Sequence, residues 1–199
     1  MNLGFHVAFL FIGGLGFVVK KENRLADQSA HQSFTFGGIG GVMDLVVQGI
    51  VAGVLGTIVM DSLNLLFARA GVISKIDVGM IGRMAAGWAR GRFRYGHPSE
   101  MEKVANEVPL GYVTHYSIGV GLAVPYVLGW ALLIGGPSSP VWAVAYGVAT
   151  TVASWFFVYP SMGLGVFGRG SPDGLKASLS PLANHLFYGL GMAAGIALV

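Results

Sequence analysis

The sequence contains no cysteine, which removes disulfides, thiolate metal sites and cysteine nucleophiles at one stroke. Charge is nearly as scarce. Asp, Glu, Lys and Arg make up 11% of the 199 residues, against about 25% in an average soluble domain, so there is too little polar surface to coat a globule. No block of basic and aromatic residues forms a nucleic-acid surface. No Ser–His–Asp order, phosphate-binding glycine loop or H-E-x-x-H spacing is present. The short alternating segments of a membrane β-barrel are missing too, because the apolar runs are continuous. These absences favour a non-enzymatic protein with no cofactor and no nucleic-acid partner.

What the chain has is apolar surface and glycine. Hydrophobic residues make up 54%, mean hydropathy is +0.67, and glycine occurs 32 times, about double its usual share. Small residues let helices approach closely where lipid supplies no hydrophobic drive between them. Several uncharged runs reach the length of a bilayer crossing. The expected fold is therefore an all-α integral membrane protein, a four-helix transmembrane bundle. An extra N-terminal apolar helix joins it if residues 3–19 span. Residues 1–41 read as an apolar segment and polar linker. Residues 42–199 read as the four-helix domain, with a basic loop at about 69–111.

The stretch from Val42 to Ala68 organises the rest. It is apolar except for Asp44 at its start, where a carboxylate suits a helix N-terminus, and Asp61 and Asn64 within it. At 100° per residue, Gly53, Thr57, Asp61, Asn64 and Ala68 share one narrow arc, small and polar, which should face protein. Further helices are expected from Val113 to Ile134, with His115, Gly119, Leu122 and Tyr126 on one face, and from Pro140 to Tyr159, ended or kinked by Pro160. The last should run from Ser180 and Pro181 to the C-terminus. It carries His185, Gly189 and Met192 on one face and Gly191 with Gly195 on another. Ile81, Met84 and Trp88 recur at helical spacing in the basic loop, which suggests a short helix lying on the membrane surface.

Lys and Arg concentrate between residues 69 and 103 and recur at Arg169 and Lys176, while the loop at 135–139 has none. The positive-inside rule then puts the basic loops in the cytoplasm. On this topology Asp61 lies about 12 Å from the cytoplasmic end of its helix, at 1.5 Å per residue. His115 and His185 fall near the same boundary. Asp61, Asn64, His115 and His185 are thus the candidate intramembrane polar cluster, since a carboxylate in hydrocarbon must be partnered or neutral. Solute or proton handling fits such a cluster. Asp61, His115 and His185 could also form a two-His, one-carboxylate metal site, or the two histidines a haem clamp. None has the tight local spacing that metal motifs show, so no metal is expected.

Arg83, Arg90, Arg92, Arg94 and His97 form a second candidate site. They either meet anionic lipid headgroups on the cytoplasmic side or bind a phosphorylated or carboxylated ligand. A lipid-headgroup enzyme would need His97 as acid or base beside these arginines. The other alternative is an accessory subunit in a homo-oligomer or larger membrane complex.

With these residues in place, the chain resembles a family of bacterial polytopic membrane proteins designated domain of unknown function 2938. The likeness runs from about Met43 to the end and rests on motifs in order: Met60-Asp61, Gly82-Arg83, Gly91-Arg92-Phe93, His97, Gly111, His115-Tyr116 and Gly119, then Pro160, Met162-Gly163, Gly165, His185 and Gly189. Tyr112 stands where that pattern usually has Trp, and Tyr95-Gly96 precede His97. The resemblance implies a four-helix protein of the bacterial inner membrane and carries no activity with it.

Overall fold

The computed structural model describes residues 38–199, and the apolar segment and linker expected before Met43 lie almost wholly outside that range. Five helices follow one another. They are α1 (Gly38–Arg69), α2 (Val78–Ala89), α3 (Glu107–Leu133), α4 (Pro140–Ser161, π-helical over Ser154–Val158) and α5 (Leu175–Leu198). Single 3₁₀ turns lie at Pro98–Glu100 and Val166–Gly168. No strand occurs among the described residues.

Three of these helices, Gly40–Arg69, Glu107–Leu133 and Pro140–Ser161, are long and apolar enough to cross a membrane. The fourth long helix, α5, is not apolar enough by the same measure. Its first half carries Lys176, Ser178, Ser180, Asn184 and His185, so three helices are candidate spans and the fourth long helix is more polar. Outward-facing Val47, Ile50, Ile58, Phe156, Leu186 and Leu190 are exposed. Apolar surface distributed this widely is what helices facing hydrocarbon require.

Glycine sets how the helices meet. The arc on α1 faces protein: Gly53, Thr57 and Asn64 are buried there. A Cβ added at Gly53 would sit 2.6 Å from Val120 Cα on α3. On α5, a Cβ at Gly191 would meet Gly56 Cα at 2.7 Å and one at Gly195 would meet Ala52 Cα at 2.6 Å. Gly189, on another face of α5, lies against Val144 of α4. One helix thus uses two glycine faces for two neighbours, as its spacing suggested.

Near the 134–139 loop the bundle is closed by tyrosine. Tyr126 donates its hydroxyl to Ser139 O at 2.6 Å, and Tyr146 donates to Leu122 O at 3.0 Å. Their ring centroids lie 5.0 Å apart with the planes tilted by 38°, and Tyr188 donates to Gly119 O. Apart from these bonds α3 packs mainly on α1 and α2, and α4 on α5.

Three helix starts differ from the sequence expectation. The first helix begins at Gly38, so Asp44 lies within it, exposed, and is no cap. The α3 helix begins at Glu107, which the side chain of Arg83 holds. The α5 helix begins at Leu175 and takes Pro181 into its body. Pro181 has no N–H for the carbonyl of Ala177. Tyr159 of α4 supplies the missing donor, its hydroxyl 2.8 Å from Ala177 O.

The surface helix also differs. Asp77 caps α2 through Met80 N at 3.0 Å, and Ile81 and Met84 are buried with Tyr95, Met101 and Met162 in a cluster of their own. Gly82 and Gly111 lie so close to Glu107 O and Val78 O that neither site has room for a Cβ. The apolar face of α2 is therefore consumed by protein. The chain after α2 then straps the end of α4: Tyr95 N donates to Pro160 O at 3.2 Å, and Ser161 Oγ to Phe93 O at 2.8 Å. Gly163, at φ +74°, takes the His97 backbone against its bare Cα.

Candidate functional site

Between α3 and α4 lies a cavity of about 640 Å³. Its walls are mainly apolar, from Met60 of α1, Met84 and Trp88 of α2, Ile118 and Leu122 of α3, and Phe157 of α4. The loops at residues 74–77 and 171–173 close one end, tied together by Ser74 Oγ donating to Asp173 Oδ2 at 2.6 Å. Phe157 lines the cavity, is 50% exposed and sets its ring 5.3 Å from that of Trp88. His115, Asn184 and His185 supply polar groups to an otherwise greasy space.

Each polar residue reaches its place for a local reason. Thr57 returns its hydroxyl to Gly53 O at 2.9 Å, which satisfies it within α1 and leaves the next turn of the arc to Asp61. Asp61 Oδ1 stands 3.5 Å from His115 Nδ1, a separation that falls short of a good hydrogen bond and is a charge pair only when the imidazole is protonated. Asp61 Oδ2 and His115 Nδ1 have no hydrogen-bond partner among the described residues.

Asn64 belongs to a different group. Its Oδ1 accepts from Ile76 N at 3.1 Å, and its Nδ2 donates to Ser74 O and to Asn184 Oδ1, each at 3.0 Å. It fastens the loop after α1 to α5. His185 belongs to a third group, with Nδ1 2.7 Å from Thr150 Oγ1 and Nε2 2.8 Å from Ser154 Oγ. Thr150 spends its only hydroxyl proton on Gly147 O at 2.6 Å, so it must accept from His185 Nδ1–H. In the neutral ring Nε2 then accepts from Ser154. The π-helical turn places Ser154 here, as Tyr159 N–H reaches back to Ser154 O.

Asp61, Asn64, His115 and His185 thus lie in one region but divide into three bonded groups. Of these four residues, only Asp61 and His115 carry a fully buried polar atom without a partner. Among the described residues no group of three metal-ligating side chains comes together.

The arginines divide as well. Arg83 makes a two-pronged contact with Glu107, 2.7 Å from Nε to Oε2 and 2.8 Å from Nη2 to Oε1. The Glu107 bond raises the guanidinium's pKa further above its ordinary value. Arg92 pairs with Glu100 at 2.8 Å and lies over the Tyr95 ring at 4.1 Å. His97 Nδ1 accepts from Ser99 N at 3.2 Å and is 2.7 Å from Ser99 Oγ, which caps the short 3₁₀ turn. Arg90, Arg94 and Phe93 are exposed. Neither Arg92 nor His97 lines the cavity, so the two do not converge on a cleft there.

Sequence reasoning singled out His115 and His185 but missed Asn184, and it read Trp88 only as part of a surface helix and Tyr159 only as a helix end. Asn184 had a readable signal, an amide beside His185 in an apolar helix. The other two gain their roles only from partners distant in the chain.

No curated protein and no solved structure matches the chain. Residues 50–199 match the family described as "Protein of unknown function (DUF2938)". That span takes in the α1 arc, the α2 strap and every wall of the cavity. The chain belongs to this family.

Proposed function

We propose that the protein is a multi-pass, non-enzymatic component of the bacterial inner membrane that handles an amphipathic, lipid-like solute in the cavity between α3 and α4. The observation that carries this is the cavity itself. Its size, about 640 Å³, falls within the roughly 300–1,000 Å³ of small-molecule sites, and its apolar walls with a few convergent polar groups share their chemistry. The lining is more apolar than the polar pocket expected from Asp61 alone, which favours a lipid-like molecule over an ionic solute. Of the Asp61–His115 pair only His115 lines the cavity, with Asp61 behind it, and the pair supports proton exchange at the cavity wall.

The basic loops lie on the cytoplasmic face in this reading, where Arg90 and Arg94, free of carboxylates among the described residues, meet anionic headgroups beside Phe93. A headgroup enzyme finds no support in residues already committed to Glu100 and Ser99.

Native mass spectrometry of the purified full chain tests the reading. Lipid-sized adducts should survive on the wild type and disappear from an Ile118→Trp variant, whose larger side chain fills the cavity. Identical adducts on both would overturn it.

A further inference from the structure

We infer that the cavity selects an electrically neutral, hydroxyl-bearing head group on an apolar chain, held between His115 of α3 and Asn184 of α5. The inference rests on the cavity being the ligand site and adds the chemistry of what it takes.

The argument is an inventory of donors and acceptors. Both nitrogens of His185 are engaged, by Thr150 and Ser154. Asn184 can be oriented without ambiguity. Ile76 N is a fixed donor, so Asn64 must present Oδ1 to it and Nδ2 to Asn184. Asn184 therefore presents Oδ1 to Asn64, and its Nδ2 is a donor with no partner among the described residues. Asp61 behind His115 favours the tautomer with the proton on Nδ1. That leaves Nε2, on the other side of the ring, as an acceptor toward the cavity that His115 lines. An acceptor at His115 Nε2 and a donor at Asn184 Nδ2 suit a hydroxyl, which both gives and takes a hydrogen bond; a further donor without a partner among the described residues, Trp88 Nε1, belongs to the α2 wall.

Charge points the same way. Among the described residues no arginine lines the cavity, and the one lysine that does, Lys75, shares the loop-side rim with Asp77 and Asp173. A phosphate seated between His115 and Asn184 would lie in an apolar space with the one lining lysine out at the rim among carboxylates, which is costly. An acylglycerol and a long-chain prenol both satisfy the chemistry, and the experiment separates them.

The purified full chain is titrated with 1-oleoylglycerol, geranylgeraniol and 1-oleoyl lysophosphatidate, and bound adducts are read by native mass spectrometry. One or both neutral alcohols should bind roughly tenfold or more tightly than the lysophosphatidate, and which one does so identifies the chain type. His115→Phe keeps a ring in place and should weaken alcohol binding roughly tenfold, the effect of a lost buried hydrogen bond.

Asp61→Asn gives a readout that a structural role would not. An amide can donate to Nδ1, moving the ring proton to Nε2, so preference should move from the alcohol toward a long-chain methyl ketone. Equal or tighter binding of lysophosphatidate by the wild type overturns the head-group assignment. So does an unchanged alcohol affinity in His115→Phe, or an unchanged alcohol-to-ketone ratio in Asp61→Asn. These three results leave the cavity reading standing. That reading falls separately, if Ile118→Trp binds all three probes as the wild type does.

Discussion

Asn64 and Asn184 join side chains across 120 positions of sequence, Nδ2 to Oδ1 at 3.0 Å, inside a largely apolar bundle. The bond fixes α1 to α5 at the depth of the cavity. Through Asn64's other two bonds it also fixes the loop that closes one end.

Removing either side chain leaves buried groups unpaired, and each such group costs about 1–3 kcal/mol. Asn64→Leu strands Ile76 N, Ser74 O and Asn184 Oδ1, whereas Asn184→Leu strands only Asn64 Nδ2's second bond. Asn64→Leu should therefore be the more destabilising. The double variant should cost less than the two singles added, as coupled neighbours do. Chemical unfolding in detergent checks both; additive effects would mean that the pair is not coupled.

Gly82 and Gly111 mark the crossing of α2 over α3, where backbone meets backbone. Alanine at either position cannot be absorbed by a side-chain shift and should lift α2 off. Trypsin would then cut at Arg90, Arg92 and Arg94 faster than in wild type, while the three apolar helices stay protected. A substitution at Gly121, where a Cβ meets nothing within 4 Å, is the control and should leave the digest unchanged.

Tyr159 and Pro181 form a compensating pair. Tyr159→Phe should cost about 0.5–1.5 kcal/mol, the usual net value of one hydrogen bond. Pro181→Ala restores an N–H to Ala177 O inside α5, so Tyr159→Phe should cost measurably less in that background. Equal costs in the two backgrounds, in a thermal unfolding series, would show that the hydroxyl does not stand in for the proline.

Topology can be tested directly, because the chain has no cysteine of its own. Exposed Ser99 and Gly135 lie on loops at opposite ends of the bundle in the proposed orientation. Ser99→Cys should be shielded from a membrane-impermeant thiol reagent in intact cells, and Gly135→Cys should react. The reverse pattern would invert the protein in the membrane.

The positions of the helices were readable from the chain because hydrophobic length and glycine spacing are local properties. The α1 arc of Gly53, Thr57 and Asn64 is buried, and Gly191 and Gly195 sit against α1, as a 100° rotation per residue requires. Helix starts were misjudged at Asp44, Val113 and Ser180 because local stop and start signals yield to distant partners. Arg83 secures Glu107, and Tyr159 removes the objection to Pro181 in a helix.

The chain by itself determined the all-helical build, the apolar spans and which residues are costly to bury. Tertiary structure alone decided how that cost is met. The sequence put Asp61, Asn64, His115 and His185 at one depth, and depth says nothing about pairing. Only the packing gave His185 to Thr150 and Ser154, Asn64 to Asn184 and residues 74–76, and left Asp61 facing His115. The cavity was invisible for the same reason. It is the space between helices that pack on different neighbours, α3 on α1 and α2 and α4 on α5, and no local run of residues encodes a gap.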